Sequence, residues 1–278
     1  MGRWPPPGWN CCPVWPVLSD RRAPWPARTL TGAHPGASLE LMRLVEPDDR
    51  AEPSRPVDIG TAGASARAEY RRRHAARQAR IQQTWGPLAG IVKALSPDPG
   101  TITAWRVGAS GEEQVALELT RRAGGRALFL YDRRVRGTRG NIDIVAVAPS
   151  GVWVIDVKRW SGVVERRPVG GLLRRGERLY SGGRDRSASL AGMGWQVAAV
   201  ADALSECSDR GRPDPEIHAA LCISGARRPM PARPFVQAGV HVVSTRKLAG
   251  LLSAPGPLAP VQVRTVHEAL AGALPSKR

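Results

Sequence analysis

The chain has 278 residues, 42% of them hydrophobic and 23% charged, which is enough apolar material for a globular core and excludes a chain that is disordered throughout. Its 41 basic residues against 24 acidic ones give a formal net charge of +17, which points to a polyanionic partner: nucleic acid first, an anionic membrane surface second. Four cysteines, none in a CxxC or a Cys/His ligand pattern, argue against a zinc site or a disulfide framework and fit a reducing cytoplasm. Lysine is rare, with only Lys93, Lys158, Lys247 and Lys277 among the basic residues. Arginine-rich composition therefore inflates the charge, and the charge alone does not decide the partner.

Residues 1–60 are rich in Pro, Trp and Arg and show no periodicity, so they read as a disordered extension. A start placed too early is the other reading, with Met42 opening a more ordinary segment. No run approaches the ~18 apolar residues of a membrane span, and the prolines break up any signal-peptide core.

Residues 61–100 form a basic helical segment. A helix is expected over 65–84, with Arg67, Arg71, Arg72, Arg73, Arg77 and Arg80 against the lone acid Glu69. Trp85-Gly86-Pro87 ends it, because Gly and Pro do not continue a helix. The basic face can bind phosphates or can simply be solvated.

Residues 101–275 carry the main domain. Ala109 to Arg122 reads as a helix with Val115, Leu117 and Leu119 among its apolar positions, stopped by Gly124-Gly125. Strands are expected at Ala127–Val135, Ile142–Ala148 and Val152–Val157, the last two joined as a hairpin through Pro149-Ser150-Gly151. Two short strands between Val163 and Tyr180 follow, then a helix over Ser189–Leu204, strands at Ile217–Ser224 and His241–Ser244, and helices over Thr245–Leu252 and Gln262–Leu274. That order predicts an α/β fold with a mixed β-sheet flanked by helices.

The hairpin carries the chemistry. Its strands read Asn141-Ile142-Asp143-Ile144-Val145-Ala146-Val147-Ala148 and Val152-Trp153-Val154-Ile155-Asp156-Val157-Lys158. Acids are depleted in strands, so two of them on facing apolar strands call for an explanation. Asp156 and Lys158 are two apart and share a face of the sheet, and hairpin pairing can bring Asp143 beside Asp156. Carboxylates at short range repel unless a cation lies between them, and Mg²⁺ or Mn²⁺ suits an oxygen-only donor set. A structural ion pair between Asp156 and Lys158 is the bland alternative. Arg133, Arg134, Arg136, Arg139, Arg166, Arg167, Arg174 and Arg175 surround this hairpin in sequence and are candidates to grip a phosphodiester backbone.

The run Gly108-Ala109-Ser110-Gly111-Glu112, then Gly140-Asn141-Ile142-Asp143, then Gly151 to Lys158, then Ser161-Gly162, resembles the nuclease-related domain family, NERD, which is assigned to the PD-(D/E)xK nuclease superfamily. The resemblance is close over about residues 105–205 and holds over most of 60–275, including Asp185-Arg186 and Trp195-Gln196-Val197. It implies a restriction-endonuclease-like fold and a metal-dependent nuclease acting on nucleic acid, with DNA as the expected substrate. It implies Glu112, Asp143 and Asp156 as metal ligands, Lys158 as the catalytic lysine and Gln196 as a polar helix residue supporting the site. Glu113 is the neighbour that could be mistaken for Glu112. The rivals are a nucleic-acid-binding module that keeps the fold without turnover and, more distantly, a membrane-surface protein.

Overall fold

The computed structural model describes residues 56–96, 99–138, 140–170, 176–207, 214–225 and 234–276. The expectations for residues 1–55, including disorder and the role of Met42, lie outside the described residues, as do Arg139, Arg174 and Arg175.

Two helices come first, α1 (Ala64–Trp85) and, after a short 3₁₀ turn at Gly86–Leu88, α2 (Ala89–Leu95). The long α3 (Gly100–Ala123) follows, and α1 packs along it. The sequence places the start of this helix at Ala109, nine residues late. Nothing in Gly100 to Gly108 forms an apolar stripe, yet Ile102 is buried and the segment is helical. Val115 and Leu119 face the core as expected, whereas Leu117 is 73% exposed. The helical repeat allows only positions three or four apart to share a face, so Leu117 cannot join both neighbours.

Strands β1 (Leu128–Arg134), β2 (Asn141–Ala148), β3 (Gly151–Arg159), β7 (Ile217–Ser224), β8 (Phe235–Gln237) and β9 (Val240–Ser244) build one mixed sheet in the order β1-β2-β3-β7-β9-β8. The β1-β2-β3 meander is antiparallel, while β3, β7 and β9 run parallel. Between β3 and β7 the chain makes a separate three-stranded sheet, β4 (Val164–Val169), β5 (Gly176–Ser181) and β6 (Arg184–Asp185). Helices α4 (Ser187–Ala191) and α5 (Met193–Glu206) then return along the main sheet, and α6 (Thr245–Leu252) and α7 (Pro260–Ala273) complete the fold. The expected single helix over Ser189–Leu204 is thus two, divided at Gly192.

Two cores sandwich the main sheet. On one side Ile144, Ala146, Trp153, Ile155 and Val157 pack against α3 and α6. On the other, Val145, Val147, Val152, Val154 and Leu221 pack against α5 and α7. Strands buried on both faces read as nearly continuous apolar runs, which is how β2 and β3 appear in the sequence.

Among the described residues no helix is long and apolar enough to cross a membrane.

Candidate active site at the divergence of the central strands

The alternation of side chains along a strand has period two, so Ile142 and Ile144 should share a face. They do not: Ile144 lies in the core under α3 and Ile142 in the core under α7. The same reversal occurs on β1, where Tyr131 packs on the α3 side but Arg133 turns to α7. The residues at the two reversals are Asp132 and Asp143. Asp132 takes a positive φ of 51°, a conformation that Asp tolerates better than most residues.

The ladder between β2 and β3 pairs Ile144 with Ile155 and goes no further toward Asp143 and Asp156. Past that point the carboxylate of Asp143 replaces the missing backbone acceptor: the Val157 N–H donates to its Oδ2 at 2.9 Å. The strands separate here, and a cleft of about 410 Å³ opens among Glu112, Asn141, Asp143, Lys158, Arg159 and Trp160. Ser65 of α1 and Trp105 of α3 also line it.

Each residue singled out in the sequence has a definite place. Glu112, on α3, is partly buried and lines the cleft. Its neighbour Glu113 is turned away and pairs with Arg67 of α1. Asp156 is 8% exposed, and its Oδ2 lies 2.6 Å from Nζ of Lys158. Continuing the alternation of Val152 and Val154, these two residues fall on the side of the sheet covered by α5. Gln196 lies on α5, 5% exposed, and its Oε1 has no hydrogen-bond partner among the described residues. It is a buried acceptor on the helix that packs over β3 and β7.

Glu112 on one side of the sheet and Lys158 on the other feel each other because both reach the end of the strands. Burial, with the charges of Asp143 and Asp132 added, pushes the Glu112 carboxyl up to about 9. Burial and the charge of Asp156 push Asp143 up to about 7. Burial alone would lower the Lys158 ammonium, but Asp156, Asp143 and Glu112 more than reverse this and the net shift is upward. The group is therefore short of positive charge: Glu112, Asp143 and Asp156 share one lysine. In these side-chain positions no three His, Cys, Asp or Glu groups converge to hold a metal ion among the described residues.

Residues 107–224 match the family model described as the nuclease-related domain. The chain carries a nuclease-related domain. The matched span runs from α3, ahead of Glu112, through β7, and so includes Glu112, Asn141, Asp143, Lys158, Arg159 and Trp160 of the cleft, while Ser65 of α1 and Trp105 of α3 precede it. Comparison with curated proteins and with solved structures gave no match.

Sequence reasoning missed Asp132, although it sits in the apolar run Leu128-Phe129-Leu130-Tyr131 and the argument used for Asp143 applies to it equally. It is 1% exposed and accepts from the Ser65 backbone N–H, from Ser65 Oγ at 2.5 Å and from Asn141 Nδ2 at 2.8 Å. Ser65 lies in the first turn of α1, so Asp132 satisfies a backbone donor that the helix leaves open and ties the basic helix to the rim of the nuclease-related domain's cleft. Arg133 is a correction. It is fully buried and donates to the carbonyls of Leu274, Asp58 and Ala271, so it fastens the end of α7 and cannot grip a phosphate.

Proposed function

We propose that the protein is a divalent-metal-dependent nuclease that hydrolyses phosphodiester bonds, with DNA as its substrate. The observation that carries this reading is the meeting of Glu112, Asp143 and the Asp156–Lys158 pair at the open end of β2 and β3. The family match and the net charge of +17 support it.

Asp143, Asp156 and Glu112 would hold the cation. The fit rests on the donor chemistry: all the candidate ligands are hard oxygens, as Mg²⁺ and Mn²⁺ prefer, and the carboxylates press on one another with too little positive charge between them. A divalent cation bound there would offset the carboxylate charge and the charge that develops on the phosphoryl group. Lys158, 2.6 Å from Asp156, is a charged donor rather than a general base. It orients the attacking water and stabilises a non-bridging phosphate oxygen, while Asp156 fixes where the ammonium points. Water attacks phosphorus in line, its proton passing to solvent, while the bond to the leaving oxygen breaks on the opposite side and that oxygen is protonated from solvent. Gln196 supports this arrangement from α5 through its open amide oxygen.

The second reading is a nucleic-acid-binding module without turnover. One observation favours it: the Asp156–Lys158 ion pair stands as a structural pair would, with no three acids gathered about a metal.

Cleavage of supercoiled, linear and single-stranded DNA by the full chain separates the two, with Mg²⁺, Mn²⁺ or EDTA and with Asp156→Ala and Lys158→Ala alongside. The nuclease reading expects metal-dependent cleavage that both substitutions abolish. Tight DNA binding with no cleavage in any metal, unchanged by Asp156→Ala, would select the module instead.

A further inference from the structure

The acidic cleft poses a problem for any phosphodiester. Glu112 and Asp143 line it, Asp132 and Asp156 lie near enough to act on Glu112, and Lys158 is already engaged by Asp156. On the nuclease reading a divalent cation offsets part of that charge, and a further cation on the wall would draw the phosphate in.

Arg159 is that cation. It follows Lys158 at the end of β3 and lines the same cleft as Glu112 and Asp143. It is exposed, and among the described residues it has neither a hydrogen-bond nor an ion-pair partner. The arginines just beyond it behave differently: Arg166 pairs with Glu177, Arg167 with Glu165 and Arg178 with Asp185.

The fold also fixes where Arg159 goes. β3 and β7 pair Arg159 with Ser224, so the arginine stem lies beside Gly225, which follows β7 and has φ +73°. A Cβ on Gly225 would stand 2.9 Å from Cγ and 3.0 Å from Nε of Arg159. On the α3 side, a Cβ on Gly111 would stand 3.6 Å from Cβ and 3.7 Å from Cδ of Arg159. The stem therefore runs through a slot between two glycines, one on each neighbouring element. A side chain at Gly225 would press on it, whereas a Cβ at Gly111 would be in ordinary van der Waals contact. A long side chain restricted in this way loses less freedom on binding than a free surface arginine, and its planar fork matches two phosphate oxygens.

We propose that Arg159 is a substrate-binding residue that clamps a nucleic-acid phosphate beside the acidic cleft, with the Gly111–Gly225 slot holding its stem in place. This rests on the nuclease reading of the same cleft. It names the protein group that draws the backbone in against the local negative charge.

The test is the affinity of the full-length protein for a fluorescent DNA duplex, measured by anisotropy in Ca²⁺ over a series of salt concentrations, with steady-state cleavage in Mg²⁺ alongside. Arg159→Ala is expected to weaken binding about tenfold and to reduce the slope of log K against log[salt] by about 1, raising KM more than it lowers kcat. Arg159→Lys keeps the charge but loses the fork, and falls between the two. Arg178→Ala, which removes an arginine already paired outside the cleft, is the reference for loss of one surface charge. An Arg159→Ala loss no larger than that of Arg178→Ala, in a wild type that binds and cleaves, overturns the clamp and leaves the nuclease reading intact. A wild type that neither binds nor cleaves overturns both. Thermal denaturation of each variant confirms the fold, and an exposed residue should leave the midpoint within about 2 °C.

Discussion

Arg133 and the Glu112–Asp143 pair are both ionisable groups drawn out of water, and the fold treats them in opposite ways. Arg133 is wholly buried but faces three backbone carbonyls, two of them at the end of α7, where a helix leaves its carbonyls open. Its donors are satisfied, and although burial still carries its pKa downward, the charges of Asp58 and Asp132 favour the ion. Glu112 and Asp143 are pressed together with Asp132 and Asp156 and share one ammonium, so both carboxyls are pushed upward, to about 9 and about 7. A group whose hydrogen bonds are satisfied fastens the structure. A group whose charge is not satisfied is held against its own preference, and such sites cluster where chemistry is done. The two regions are joined through adjacent residues, because Asp132 precedes Arg133 on β1.

The largest expected effect lies on the acidic side. Asp143→Asn should lower DNA cleavage by at least about a thousandfold, because it removes the central carboxylate while keeping the shape and an acceptor for the Val157 N–H. Single-turnover cleavage measures this, and cleavage within tenfold of wild type would remove Asp143 from the mechanism.

Next comes the anchored side. Arg133→Ala should destabilise the fold by about 3 kcal/mol, because three buried carbonyls lose their donor, and should lower the melting midpoint by roughly 10 °C. DNA affinity below the transition should stay at the wild-type value. A loss of affinity without a loss of stability would mean that Arg133 contacts substrate after all.

The acids can also be read through stability. A carboxyl whose folded pKa is raised above its unfolded value favours folding at pH below the unfolded pKa, and that contribution is lost as pH rises through the folded pKa. For Glu112 the window runs from 4.5 to about 9. Metal-free Glu112→Gln should therefore melt above the wild type at pH 8, by at least about 3 °C, and with it at pH 4. Added Mg²⁺ should close the gap at pH 8 by stabilising the wild type more. A midpoint difference that is the same at both pH values would mean that the fold does not hold the Glu112 carboxyl away from its ordinary pKa.

The smallest effect is expected at Gln196. Its buried Oε1 has no partner among the described residues, so Gln196→Leu should leave stability within about 1 kcal/mol or raise it, while cleavage falls about tenfold. Chemical denaturation and cleavage rates on the same preparation separate these. Lost stability with unchanged cleavage would make Gln196 a packing residue.

Much of this was legible in the sequence because strands advertise their periodicity. The acids in apolar runs marked β2 and β3, the Asp156-x-Lys158 spacing put two groups on one face, and Glu112 stood out from Glu113 through its family resemblance. What stayed hidden depends on departures from regularity. Asp132 and Asp143 sit where two neighbouring strands reverse their alternation together, and a positive φ leaves no clear mark on a non-glycine residue. Arg133 read as one more surface arginine because burial of a charge depends on carbonyls 138 and 141 residues away. That Arg159 has no partner among the described residues likewise depends on tertiary placement that the sequence does not display. The early start of α3 was missed because Gly100 to Gly108 is held by packing against α1 rather than by its own propensity.

The measurement that tests the central claim most directly is metal add-back. Full-length protein stripped with EDTA is assayed on plasmid DNA as Mg²⁺ is titrated in, with Asp143→Asn and Lys158→Ala beside it. The account predicts no cleavage in EDTA, saturable recovery with Mg²⁺ in the wild type, and no recovery in either variant. Cleavage that persists in EDTA, or that both variants recover with the wild-type protein, would contradict it.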